Sequence, residues 1–72
     1  MISSLLTGKN LDSAIEDLEF ACKKDPFPEA YYFLGIAYKE KGWIDKAKTV
    51  FKKALEINPD YADAAKALAE IK

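Results

Sequence analysis

Apolar residues recur along this chain at three- and four-residue steps, and strand-like alternation is sustained nowhere. Leu11, Ala14, Ile15, Leu18, Ala21 and Cys22 form one stripe, with Asp12, Glu16, Asp17, Glu19 and Lys23 on the other side. Ile44, Ala47, Val50, Phe51, Ala54 and Leu55 repeat the design, with Lys46, Lys48, Lys52 and Lys53 mostly outside. Gly8, Asp25-Pro26-Phe27-Pro28, Gly42 and Asn58-Pro59-Asp60 punctuate the sequence. The pattern predicts helices over 11–24, 29–41 and 44–57, a short helix in 1–7 and a tail helix in 61–72. Asn10 is placed as the N-cap of the first long helix.

The segment 29–41 differs from its neighbours. Ala30, Tyr31, Tyr32, Phe33, Leu34, Ile36, Ala37 and Tyr38 cover more than one helix face. A helix apolar on two faces needs two neighbours, or one neighbour and a ligand. Tyr31, Leu34, Gly35 and Tyr38 form the stripe expected to meet the following helix, with Tyr31 and Tyr38 in the core. Tyr32 and Ile36, four residues apart, point elsewhere. Gly inside a helix costs about 1 kcal/mol against Ala, so Gly35 is expected where a second helix comes close.

Composition narrows the function. Seventy-two residues, half of them apolar and about a third charged, make one small globular domain. A chain this short buries only about 60% of its unfolded surface, so its core is thin. No apolar run of about 18 residues is present, so no membrane partner is expected. Residues 1–6 lack the basic start and long apolar run of a signal peptide, and none is expected. The net charge of −1 argues against a nucleic-acid partner. All eleven basic residues are Lys, with no Arg and no His. Without His, neither Ser–His nor Cys–His catalysis can be assembled. Zinc would need a Cys or His cluster, and no glycine-rich phosphate loop exists. No catalytic residue, metal ligand or cofactor is therefore expected, and the chain is read as not an enzyme. The single Cys22 lies on an apolar stripe, which predicts a buried, inert thiol in a reducing, cytoplasmic compartment. Residues 39–53 are locally basic, with six Lys against Glu40 and Asp45. This stretch reads as a solvated helix face or as a docking surface for an acidic partner.

The chain also repeats itself. Ala14, Leu18, Ala21 and Pro26 match Ala47, Phe51, Ala54 and Pro59, each 33 residues on. Tyr31-x2-Leu34-Gly35-x2-Tyr38, then Ala47-x3-Phe51 and Pro59, resembles the tetratricopeptide repeat. Gly42 and Ala54 fall where that repeat has its turn glycine and a small residue. The resemblance covers one full repeat over 28–61, within a single domain of 1–72. Residues 1–27 then form a divergent partial repeat, and 62–72 the first helix of a further repeat or a cap. It implies an all-α fold of stacked antiparallel helical hairpins in a right-handed superhelix, the first helix of each pair lining a concave groove.

In such families the groove binds a peptide or helix of a partner protein. The resemblance places Glu29, Tyr32, Phe33, Ile36, Lys39 and Glu40 in that groove, with Asp63, Lys66 and Glu70 from the tail helix; the other reading of Tyr32, Phe33 and Ile36 is that they pack on the preceding hairpin. Leu5 and Leu6 could face either way. Some members clamp a terminal carboxylate with Lys, Asn and Arg. This chain has no Arg and offers Tyr32, Phe33 and Ile36 in the middle of the groove, so an apolar or aromatic anchor fits better, with Lys39 and Lys66 as flanking charges. The implied function is that of a non-catalytic protein-interaction module. A self-associating repeat unit, with the surplus apolar face buried in a homo-oligomer, is the alternative, as is an excised piece of a longer array.

Overall fold

The computed structural model describes residues 9–71 as four helices: α1 (Lys9–Lys24), α2 (Pro28–Lys41), α3 (Ile44–Ile57) and α4 (Ala62–Glu70). The short helix expected in 1–7, with Leu5 and Leu6, lies outside the described residues. Asn10 is a residue of α1 and not its cap. The cap preference of Asn, worth about 1 kcal/mol, does not stop a helix from running through it.

Each connection follows from its residues. Phe27 is extended, at φ −126° and ψ 156°, as a residue before proline must be, and Pro28 takes the first helical position, where no amide hydrogen is needed. Gly42 ends α2 in the left-handed region at φ 91°. Its amide donates to the Lys39 carbonyl at 3.0 Å, and the Trp43 amide donates to the Tyr38 carbonyl at 2.8 Å. These paired bonds form a Schellman motif, completed by the Tyr38 and Trp43 rings, whose centroids lie 5.7 Å apart. Asn58, before Pro59, ends α3 in an extended conformation. Its side-chain oxygen accepts from the Asp60 amide at 3.2 Å, turning the chain into α4.

The connections are short, so consecutive helices pack as antiparallel neighbours: α1 on α2, α2 on α3, α3 on α4. The core is one cluster, in which Ala47, Phe51, Ala54 and Ala64 are fully enclosed. A Cβ built on Gly35 would lie 2.6 Å from the Phe51 ring, so the expected close approach is real and falls between α2 and α3. Tyr38 is buried as expected, whereas Tyr31 is half-buried. Tyr31 stands in the first turn of α2, where its ring reaches the edge of the core. In α4 only Ala64 and Ala67 are buried. Ala62, Ala65 and Ala69 are exposed. Among the described residues only α3 packs extensively against α4, so one narrow stripe of α4 is covered.

A candidate partner-binding cleft between the first two described helices

The second apolar face of α2 does not meet α3. It turns toward α1, and the two helices enclose a cleft of about 580 Å³. Phe33, Ile36, Ala37 and Glu40 form the α2 wall. Steps of three and four residues put Phe33, Ile36 and Glu40 on one side of that helix. The α1 wall is Leu11, Ala14 and Leu18, with Asp17 beside them. Phe33 is 53% exposed, a large cost for an aromatic ring in water, and Ile36 is half-buried. Asp17 and Glu40 are exposed and, among the described residues, are the charged ones that line the cleft.

The groove residues expected from the sequence divide into two groups. Phe33, Ile36 and Glu40 come together in the cleft. Tyr32 leans the other way and is half-buried, its ring 5.5 Å from Tyr61 and 6.0 Å from Phe51. Phe33 joins the two groups, with its ring centroid 5.4 Å from that of Tyr32. Glu29 is exposed in the first turn of α2, Lys39 in its last turn, and Asp63, Lys66 and Glu70 on α4. Burial raises the Tyr61 hydroxyl above its usual pKa, and the Glu29 and Asp63 carboxylates add to the shift. This end of the surface is therefore aromatic and acidic.

Sequence reasoning did not assign Tyr61 or the α1 wall to the site. Leu11, Ala14 and Leu18 read simply as core stripe and Asp17 as outer face. The available signal was the surplus apolar face of α2, which required a second neighbour and left the preceding hairpin and a ligand as the two choices.

The opposite character marks the turn between α2 and α3. Trp43 is 43% exposed, and the ammonium groups of Lys41 and Lys46 each lie 5.3 Å from its ring centroid. Lys41 also pairs with Asp12 of α1 at 2.8 Å. This exposed pair contributes little stability. Tyr38 donates its hydroxyl hydrogen bond to the Glu19 carboxylate at 2.5 Å, tying α2 to α1. Glu19, read from the sequence as one of the solvated acids, is thus a helix-to-helix acceptor. Cys22 is buried, and desolvation, followed by the nearby Glu19 charge, pushes its thiol pKa up. The thiolate is the reactive form, so Cys22 is a poor nucleophile at neutral pH. Among the described residues no group of three or more His, Cys, Asp or Glu could hold a metal ion. Among them, too, no helix is long and apolar enough to cross a membrane.

Comparison with known proteins agrees with the all-helical repeat fold. A family model described as tetratricopeptide repeat matches residues 28–61. The type IV pilus assembly protein PilF of Pseudomonas aeruginosa is 44% identical over 48 residues, covering 67% of this chain but only 19% of that protein. An uncharacterized protein of Methanocaldococcus jannaschii is 49% identical over 36 residues, 50% of this chain and 42% of that protein. The chain therefore spans less than half the length of either relative. No solved structure matches it at comparable significance.

Proposed function

We propose, from residues 28–61 belonging to the tetratricopeptide-repeat family, that this chain holds a peptide or helix of a partner protein against the cleft between α1 and α2 and the aromatic patch beside it. Members of the family are generally non-catalytic interaction modules that bind proteins, and the chain is read as having no chemistry of its own. The observation that carries the reading is the exposed Phe33 ring on the wall of an apolar cleft. Ile36 and Phe33 supply the anchor contacts, Tyr32 a flanking aromatic surface, and Glu29, Lys39, Glu40 and Lys66 the charged rim. Both helices are ordered before any ligand arrives, so affinity depends on a few anchors more than on contact area. The likeness to part of a pilus assembly protein suits a module working inside a larger scaffold, and a reducing cytoplasmic setting would keep Cys22 a thiol.

The test is an amide-shift titration by NMR with a short peptide that has a Leu-Phe centre. Shifts are expected at Leu11, Leu18, Phe33 and Ile36. Phe33→Ser, at an exposed position, is expected to leave the helical circular-dichroism signal intact and weaken binding about tenfold, the usual scale for losing one aromatic anchor. Shifts confined to the Trp43 turn and the outer face of α3 would reject this site.

A further inference from the structure

The outer face of α1 carries the most exposed large apolar side chain among the described residues. Phe20 is 62% exposed, with the Lys24 ammonium 5.5 Å from its ring centroid. A single exposed ring is ordinary on a small protein, but the charges around this one are ordered. Glu16 and Asp17 precede Phe20 by about one helical turn, and Lys23 and Lys24 follow it by the same interval. At about 100° per residue, Glu16 and Lys23 lie about 40–60° to one side of Phe20, and Asp17 and Lys24 about 40–60° to the other. These acids and lysines are exposed, and among the described residues none of them is in an ion pair. The repeat does not impose this order. At the matching positions, 33 residues on, α3 has Thr49, Val50, Lys53, Glu56 and Ile57. Where α1 exposes a phenyl ring, α3 exposes a lysine.

We propose that the outer face of α1 is an interface between two copies of this chain, packed antiparallel about a two-fold axis at Phe20. The patch is complementary to itself, as an isologous contact requires. Such an axis sets Phe20 against Phe20 of the second copy, keeps like sides of the two helices together and reverses their direction. Asp17 then faces Lys24 of the second copy, and Glu16 faces its Lys23. The midpoint of 17 and 24 and that of 16 and 23 fall half a residue either side of position 20. Each pair is made twice, and charges flanking an apolar helix contact set partner and orientation. Parallel packing would set acid on acid and lysine on lysine. A different partner would have to repeat the order of acid, aromatic and base that α1 already holds. Of the residues lining the cleft between α1 and α2, Asp17 alone takes part, so the proposal is independent of what occupies that cleft. It also differs from the homo-oligomer expected on sequence grounds, which would bury the surplus face of α2. One helix pair buries less than the roughly 1,200–2,000 Å² of a stable complex, so the dimer is weak, with a dissociation constant on the order of 100 µM.

The test is sedimentation equilibrium of the whole chain, from well below that constant to well above it. The parent should pass from monomer to dimer, and added salt should weaken the dimer. Phe20→Ser should stay monomeric, with a melting curve at low concentration that matches the parent. Lys23→Glu with Lys24→Glu should dimerise at least about tenfold more weakly, and so should Glu16→Lys with Asp17→Lys, because every pair across the axis becomes a repulsion. An equal mixture of the two reversed variants should associate at least as tightly as the parent, since an acidic helix then faces a basic one. Charges that act only within their own chain would not be rescued by mixing. Adding Phe20→Ser to both members should abolish that association. If a reversed variant melts early, Glu16→Gln with Asp17→Asn should still weaken the dimer without reversing any charge. A parent that stays monomeric at the highest concentration overturns the proposal, as does a mixture that fails to associate. Association of the mixture that persists without Phe20 is general attraction of opposite charge and overturns it too. A parent dimer that survives Phe20→Ser, or whose concentration-dependent amide shifts fall on Phe33 and Ile36 and not on Glu16–Lys24, uses another face. A lowered melting temperature of dilute Phe20→Ser would show the ring covered by its own chain, and the interface would again be overturned.

Discussion

At Gly35 two opposing terms can be compared directly. Alanine there would improve helix propensity by about 1 kcal/mol. It would also set a Cβ 2.6–2.8 Å from three ring carbons of Phe51, which is 0% exposed. Overpacking of this kind costs about 1–3 kcal/mol. We expect Gly35→Ala to be destabilised by about 1 kcal/mol or more, read as a lower urea midpoint at unchanged slope. An unchanged or higher midpoint would mean that the Phe51 ring can yield. The need for a small residue at position 35 was legible in the sequence, because a helix-interior glycine beside large apolar residues has few other uses. The position of Tyr32 was not. Its nearest aromatic partners are Phe33, one residue on, and Tyr61, which arrives through the turn after α3. Helix periodicity says nothing about where a turn delivers its side chains.

Between elements, the contact of α2 with α1 joins packing to a titratable group. Tyr38 is buried, donates to Glu19, and is pushed up to about 12 by desolvation first and by the Glu19 hydrogen bond and charge next. The unfolded chain releases that proton near 10, so between about 10 and 12 the folded state holds more protons. Stability from this group is complete below about pH 10 and is lost as pH rises toward 12. The loss is at most roughly 2–3 kcal/mol at about 1.4 kcal/mol per unit. Tyr38→Phe should flatten the fall in thermal midpoint over that window relative to the parent chain. Parallel curves for the two proteins would show that the Tyr38–Glu19 contact does not carry the pH dependence. The helices themselves were readable almost to the residue, because Pro28, Gly42 and Pro59 carry conformational rules that act locally. The start of α1 was misread, since a capping preference near 1 kcal/mol is weaker than helix continuation. The cleft was half legible: one wall follows from the surplus face of α2, whereas the other depends on how α1 crosses it, which no local pattern encodes.

As a whole the described molecule is a line of neighbours, and extensive packing joins only helices adjacent in sequence. Stability in such a stack divides into helix terms and interface terms, so opening one end leaves the remaining interfaces intact. Helix α4, nine residues long with two buried alanines, has α3 as its one extensive partner. Helix α3 is covered on both sides and supplies the fully enclosed Ala47, Phe51 and Ala54, so its amides are released only when both interfaces open. Native-state hydrogen exchange should therefore show the Ala47–Ala54 amides protected up to the global unfolding free energy from urea. The α4 amides should open at least about 1 kcal/mol more easily, as expected for a short terminal element. Equal protection in the two helices would show one cooperative unit and remove the stacked description. The same experiment bears on function. A ligand seated between α1 and α2 stabilises by RT ln(1 + [L]/Kd), about 2.7 kcal/mol at a hundredfold excess over Kd. That gain should appear in α1, α2 and the globally protected amides of α3, while the local opening of α4, which leaves the cleft intact, keeps its unliganded rate.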